Sequence, residues 1–430
     1  MIKSFAALSV TTGARLLTGL ILFVLLAREW PAAVFGEFMY LFSVAALLVL
    51  ACEFGFTQQI LREIGRAPTQ AATLMGRYLG AKVWLTLATW VLALLFAGVM
   101  QLSLEAIAQL ALLLAAASLM SYGDMFMSCF RAMGQFGEEA WIAVLGNVLF
   151  FALSLCALHF KGGPVGVAAA MLFARLVQFL MSQRVFRRRI PERVVPVLAL
   201  PEVAATVRAS TAYGADVAIG AAFVNMDTVM IAHTLGQESV GVYQAIARIY
   251  QGAVLATAIL GSIFLPRLAR ELGNRVAFTR QYKQLAWCLV ALGAAASCVF
   301  ALGAPLLELI YTQPHLQRSL ELMPWFALLV FVRFTASVYG VALTALGKQT
   351  SRALIYVAAL ILMVLAAPPL MRHFGEAGMV IAATLAYALL ALLFAIHSAR
   401  SGVRPQAWKT AAIVSLSLTA FSFWKAGLHP

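Results

Sequence analysis

Charge is scarce in this chain. Of its 430 residues 11% are Asp, Glu, Lys or Arg, 63% are hydrophobic, and the mean hydropathy is +0.91. A soluble globule carries about a quarter charged residues, so this composition excludes one. Cysteine is sparse too: Cys52, Cys129, Cys156, Cys288 and Cys298 lie in apolar runs with no CxxC spacing. That excludes a disulfide framework and a zinc ribbon, and the five read as small buried hydrophobes. The six histidines have no partner at metal-ligand spacing, so no metal is expected. There is no GxxxxGK[ST] loop, GxSxG elbow or HExxH pair, and no polar segment long enough for a soluble catalytic domain. The expectation is therefore a protein that is not an enzyme, holds no cofactor, and draws any energy from a gradient of ion or substrate.

The apolar runs imply an all-α polytopic membrane protein, since spans of about 20 residues cross a hydrocarbon core about 30 Å thick. Twelve core spans are read near 5–27, 38–61, 79–100, 106–130, 141–159, 165–183, 211–233, 240–264, 284–307, 323–346, 353–371 and 377–397. A further segment, Thr410 to Trp424, is short, rich in serine and flanked by Trp408, Lys409 and Lys425, which suits either a thirteenth span or an in-plane helix. Six spans on each side of a basic stretch suggest two lobes: 1–183, a cytoplasmic linker 184–207, 208–398, and a tail 399–430. With six spans each, both lobes enter the membrane in the same orientation, so the repeat is parallel, with a cleft expected between the lobes.

The net charge of +14 is concentrated on one side. With a cytoplasmic amino terminus, most Lys and Arg fall on inward-facing loops, the positive-inside pattern, and Arg187, Arg188 and Arg189 read as a topology signal rather than a nucleic-acid site. The first span has no small-residue cleavage site and runs into Arg28 and Glu29, so it is expected to stay as a helix.

An internal repeat supports the two-lobe reading. A constant offset sets Ala27, Gly36, Phe38 and Arg62 opposite Ala232, Gly241, Tyr243 and Arg267, and a slightly larger one sets Gly134 and Gly162 opposite Gly347 and Gly375. The chain turns on Phe223 to Arg248, where an apolar helix bearing Asn225 and Asp227 breaks at Leu235-Gly236 and resumes through Gly241 and Tyr243.

Polar stripes at helical spacing run through the spans: Thr11, Arg15 and Thr18; Asp124, Ser128 and Arg131; Arg175, Gln178 and Ser182; Asp216, Gly220 and Asp227; Gln244, Arg248 and Gln251; Arg333, Ser337, Gly340 and Thr344. Glu53 closes the second span. A buried arginine costs about 2.5 to 3.5 kcal/mol on insertion scales, so Arg15, Arg175, Arg248 and Arg333 should face water or one another. Two readings stay open. Either the arginines form internal bridges with Glu53, Asp124, Asp216 and Asp227, or they line a hydrated path for an anion, with Gln244 and Gln251 beside them. The arginines do not follow the repeat, which favours the path, and a guanidinium offers phosphate a fork that stays charged. Asp227, Glu53, Asp124 and Asp216 are then candidates for ion coupling.

Three stretches, GARLLTGLILFVLLAREWPAAVFGEF, EFGFTQQILREIGR and above all NMDTVMIAHTLGQESVGVYQAIARIY, resemble the polysaccharide flippases of the multidrug/oligosaccharidyl-lipid/polysaccharide exporter superfamily. The resemblance implies twelve core helices in two lobes, alternating access, and a bacterial inner membrane location. It also implies a polyprenyl-diphosphate-linked oligosaccharide as substrate, its diphosphate or acidic sugars held by the central arginines. Polymerase or glycosyltransferase partners would act on the same carrier. A cation-coupled multidrug exporter of the same superfamily is the alternative, and a membrane polymerase or ligase a further one.

Overall fold

The computed structural model describes residues 18–132, 137–190, 192, 194–308 and 314–400, without the side chains of 66, 68, 137–140, 212, 216, 262, 314–316, 349 and 350. Arg15, the candidate thirteenth segment and most of span 5–27 lie outside the described residues, and so does the side chain of Asp216.

The chain is mostly helical, with no strand among the described residues. The helices are α1 (18–29), α2 (Ala32–Glu53), α3 (Phe56–Arg66), α4 (Ala71–Val99), α5 (Leu104–Ala132), α6 (Gly137–His159), α7 (Gly163–Arg189), α8 (Leu200–Thr234), α9 (Gln237–Arg270), α10 (Arg275–Leu302), α11 (Ala304–Glu308), α12 (Pro314–Leu320), α13 (Met323–Ala345), α14 (Gln349–Phe374) and α15 (Glu376–Arg400). Among the described residues, 11 helices are long and apolar enough to cross a membrane. The predicted turn at Leu235-Gly236 separates α8 from α9, Gly236 taking φ +91. The predicted span 38–61 is instead broken at Phe54-Gly55, where φ is +39 and +71. Such angles end a helix, and at Gly55 carry no Cβ penalty.

The described chain divides into two compact units, Phe38–Met226 with the residues up to Leu22, and Asp227 onward with Phe23–Glu37. In the first unit α3 is amphipathic. Its Phe56, Ile60 and Ile64, four residues apart, are buried with Met75 and Tyr78 of α4, Phe126 and Phe130 of α5, and Phe186 of α7. The Phe126 and Phe186 rings stand 4.8 Å apart. Its polar face docks on α8, where Arg62 donates to the Tyr213 hydroxyl at 2.8 Å and the Ser210 hydroxyl bonds Gln59.

The basic segment 184–207 is mostly helix. α7 continues through Arg189 and α8 starts at Leu200, and of the residues between them 194–199 are described as a strap without helix. The strap lies along Gly76 and Gly80 of α4. The Val197 amide donates to the Gly76 carbonyl at 3.0 Å, and the Trp84 indole donates to the Leu198 carbonyl at 3.1 Å. A Cβ on Gly80 would stand 1.9 Å from the Val197 oxygen, so only glycine admits the strap.

In the second unit α13 is packed against α9, α10 and α15. Phe326 sits under Tyr243 and Tyr250 at 5.5 Å each, and a Cβ on Gly293 of α10 would meet Phe334 at 2.7 Å. The connection between α10 and α13 holds α11 and α12. Arg318 of α12 bonds Glu376 at the start of α15 at 2.6 Å and stands 3.9 Å from Glu238 at the start of α9.

The start of α2 also belongs to this unit and crosses the start of α9 without side chains between them. A Cβ on Gly36 would fall 1.7 Å from the Gln237 carbonyl oxygen, and one on Gly241 would fall 2.1 Å from that of Ala32. Ala32 and Gln237 are opposed in the internal repeat, as are Gly36 and Gly241. Each of these two segments thus meets the repeat-equivalent backbone of the other.

Candidate functional site

In the first unit the residue of most consequence was not singled out from sequence. Lys82 of α4 is fully buried, its ammonium donating to the Ser121 hydroxyl at 2.7 Å and the Cys52 carbonyl at 3.2 Å, and lying 5.1 Å from the Tyr122 ring centre. Glu53 and Asp124, both half-buried, lie near enough for their charges to act on it, and neither makes a hydrogen bond or close ion pair among the described residues. The sequence places Lys82 just inside a span beginning at 79, where a lysine snorkels to the surface. Because α4 starts at Ala71, Lys82 is three turns in, and the signal is a lone cation in the run GAKVWL. Lys82→Ala is expected to lower stability by about 2 kcal/mol, since it empties the space of the side chain and leaves the Ser121 hydroxyl and the Cys52 carbonyl without their buried donor. Lys82→Met should lose less, because it fills that space and forfeits only the hydrogen bonds. Thermal midpoints of the solubilised proteins check both, and a wild-type midpoint for the alanine variant would reject the structural role.

Arg175, in the middle of α7, is buried, with its guanidinium donating to Gln178 Oε1 at 2.6 Å and Asn147 Oδ1 of α6 at 3.1 Å and lying over Phe150 at 5.8 Å. Both acceptors are side-chain amide oxygens, one on its own helix and one on α6. Gly146 allows the approach: a Cβ there would lie 2.6 Å from Gln178 Oε1.

The second unit brings together Asp227, Tyr243, Gln244, Arg248 and Gln251. Asp227, half-buried near the end of α8, accepts from the Tyr243 hydroxyl at 2.7 Å and from the amide and hydroxyl of Thr228 at 2.6 and 3.1 Å. Gln244, one residue on, donates to the Thr228 hydroxyl. Arg248, one turn further along α9, lies 4.5 Å above the Phe23 ring and donates to Gln251 at 3.0 Å. Asn225 bonds within its helix, donating to the Ala221 carbonyl at 2.9 Å, and Gly241 serves the crossing described above.

Arg333 occupies the middle of α13, half-buried, 4.6 Å from the ring centre of Tyr387 on α15. Its electrostatic neighbours are Tyr387, Tyr356 and Tyr250, from three helices, and it forms no ion pair with a carboxylate among the described residues. Its Nε is buried without a hydrogen bond. Beyond Tyr356, Arg352 lies 5.9 Å from the same ring and bonds Thr344 at 2.6 Å. The tyrosines escaped the sequence reading because aromatic residues in so apolar a chain look like ordinary core. The arrangement can hold a multivalent anion by the N–H edges of the guanidinium groups and by hydroxyl donors. No cluster of His, Cys, Asp and Glu among the described residues could hold a metal ion.

The fold is similar to solved structures of one superfamily. It matches the lipid II flippase MurJ in an inward closed conformation with TM-score 0.75 and 13% identity, covering 96% of this chain and 91% of that one. It matches the inward-facing conformation of a multidrug resistance MATE family transporter of the MOP superfamily with TM-score 0.71 and 15% identity, over 90% of this chain and 94% of that one. A MOP superfamily transporter from Pyrococcus furiosus, described as having a binding pocket of reverse polarity, matches with TM-score 0.67 and 17% identity, over 93% and 95%. At these identities the likeness establishes the two-lobed, twelve-helix fold. No curated protein matches the chain. The model of the polysaccharide biosynthesis protein family matches residues 1–272, more than half the sequence, and the chain belongs to that family.

Proposed function

We propose that this chain is a flippase carrying a polyprenyl-diphosphate-linked oligosaccharide repeat unit from the cytoplasmic to the outer leaflet of the bacterial inner membrane, by alternating access, for surface polysaccharide synthesis. The observation that carries the reading is Arg333, a mid-membrane guanidinium among tyrosines, with no carboxylate paired to it among the described residues. A cation placed so costs several kcal/mol unless an anion visits it. Arg248, on Phe23, supplies a second guanidinium of the same unit, with Gln251 positioning it and Gln244 alongside. Arg175 and Arg15 complete the set of cations assigned to the path. Asp227, held by Tyr243, is the first candidate for ion coupling, followed by Glu53 and Asp124 beside Lys82, and by Asp216. The working halves are 1–183 and 208–398, joined by the basic segment 184–207. Family membership and a fold shared with a lipid II flippase favour a lipid-linked sugar as cargo.

A multidrug exporter is the second reading, favoured by the MATE likeness. The charge at Arg248 and Arg333 opposes it, because guanidinium repels cationic drugs. A polymerase or ligase reading has only the short helices α11 and α12 to offer where an external catalytic loop would lie. Deleting the gene is expected to make lipid-linked repeat units accumulate at the cytoplasmic face and to remove surface polysaccharide, with drug susceptibility unchanged. Normal surface polysaccharide in a strain with no redundant transporter would end the proposal.

A further inference from the structure

We infer that the outward stripe of α10 is a binding site for an anionic phospholipid of the bilayer. α10 has two distinct faces. Phe278, Tyr282, Leu285, Ala286 and Leu289 are buried toward α9 and α13, while Arg275, Thr279, Arg280, Lys283 and Trp287 recur along the opposite side and are all exposed. These exposed residues line an open groove of about 730 Å³ together with Val276. Trp287 is 64% and Val276 82% exposed, which in an aqueous setting would be unfavourable for such large apolar surfaces.

The order along the helix fits a lipid better than a soluble anion. From Lys283 to Trp287 the rise is about 6 Å at 1.5 Å per residue, so a phosphate held by Arg280 and Lys283 would leave its acyl chains against the indole. An exposed tryptophan one turn beyond a cluster of cations marks the boundary between headgroups and hydrocarbon. The charge comes from side chains: the first turn of α10 is already capped by Asn274, which accepts from the Ala277 amide at 3.1 Å. Three cations on one stripe select an anionic headgroup over a zwitterionic one. The site does not depend on the transported substrate and lies on a face of the second unit unrelated to Arg248 or Arg333.

The test is native mass spectrometry of the full chain released from nanodiscs of mixed phosphatidylglycerol and phosphatidylcholine. The wild type should retain phosphatidylglycerol in preference to phosphatidylcholine. The R275Q/R280Q/K283Q variant should lose at least about tenfold of that retention, each cation near an anionic surface contributing severalfold. R275K/R280K, which preserves charge, should retain it, and Arg280→Gln alone should give an intermediate value and serves if the triple variant does not accumulate. Equal retention by wild type and by the Gln variants overturns the inference. So does displacement of the lipid by millimolar inorganic phosphate, which would mark a soluble-anion site, or by stoichiometric polyprenyl diphosphate, which would mark a substrate site.

Discussion

Gly36→Val and Gly241→Val should each abolish accumulation of folded protein, and Gly36→Ala should lower the thermal midpoint by several degrees. Adding a methylene to a well-packed interior costs about 1 to 3 kcal/mol when side chains can move aside. Here the obstacle is backbone: the nearest atoms to a Cβ on Gly36 are the Gln237 carbonyl oxygen and carbon and the Gly241 nitrogen, at 1.7, 2.8 and 2.8 Å. Those atoms cannot move without shifting the first turn of α9, and with it the Asp227–Tyr243 bond two residues beyond Gly241. The loss should therefore exceed the ordinary overpacking range, and it should be symmetric, because the two glycines block each other's repeat-equivalent neighbours. Gly220 is the control. Nothing lies within 4 Å of a Cβ there, and in a helix alanine is favoured over glycine by about 1 kcal/mol, so Gly220→Ala should be neutral or stabilising. Size-exclusion profiles and melting of the solubilised variants read all of this. Wild-type accumulation and melting of Gly36→Val would show that the crossing is looser than described.

The second large effect concerns the guanidinium groups. Arg333→Ala and Arg248→Ala should each reduce complementation of a deletion strain by two orders of magnitude or more at normal protein level. Losing a charge-assisted bidentate contact to a buried anion costs several kcal/mol, and each 1.4 kcal/mol is tenfold. Arg→Lys at either position should retain part of the activity, since an ammonium supplies the charge without the planar fork. The two substitutions should differ in detail. Arg248 is oriented by Gln251 on its own helix, so Gln251→Ala should weaken transport less than Arg248→Ala does. Arg333 is caged by tyrosines from three other helices, so Tyr387→Phe, which keeps the ring under the guanidinium, should be mild, and Tyr387→Ala severe. Alanine variants that complement fully at both positions would make these arginines bystanders.

The helices were legible in the sequence because apolar runs long enough to cross a bilayer leave little choice of structure. The repeat was legible through Gly36 and Gly241, and so was the break at Leu235-Gly236. Arg248 with Gln251, and Arg333 in mid-span, stood out because charge is conspicuous in apolar sequence. Contacts were less accessible. Asp227 and Tyr243 were both marked, yet their hydrogen bond depends on how α9 returns from the turn, which spacing does not specify. Tyr250, Tyr356 and Tyr387 could not be separated from core aromatics, since their role comes from meeting Arg333 across helices. Lys82 was hidden by Arg77 and Tyr78, whose polarity moved the apparent start of the span past the true start of α4. The division at Phe54-Gly55 was hidden for the opposite reason: Phe56, Ile60 and Ile64 continue the apolar pattern while the backbone turns.

The account rests on an anion meeting the second unit's guanidinium groups, and translocation by purified protein tests it most directly. Proteoliposomes carrying a fluorescent polyprenyl-diphosphate-linked oligosaccharide in one leaflet, challenged with a membrane-impermeant quencher, should show leaflet exchange with the wild type. Exchange should fall to the protein-free rate with Arg333→Ala, and it should be slow for a carrier bearing a neutral linkage in place of the diphosphate. Equal exchange of the charged and neutral carriers, unaffected by Arg333→Ala, would contradict the account.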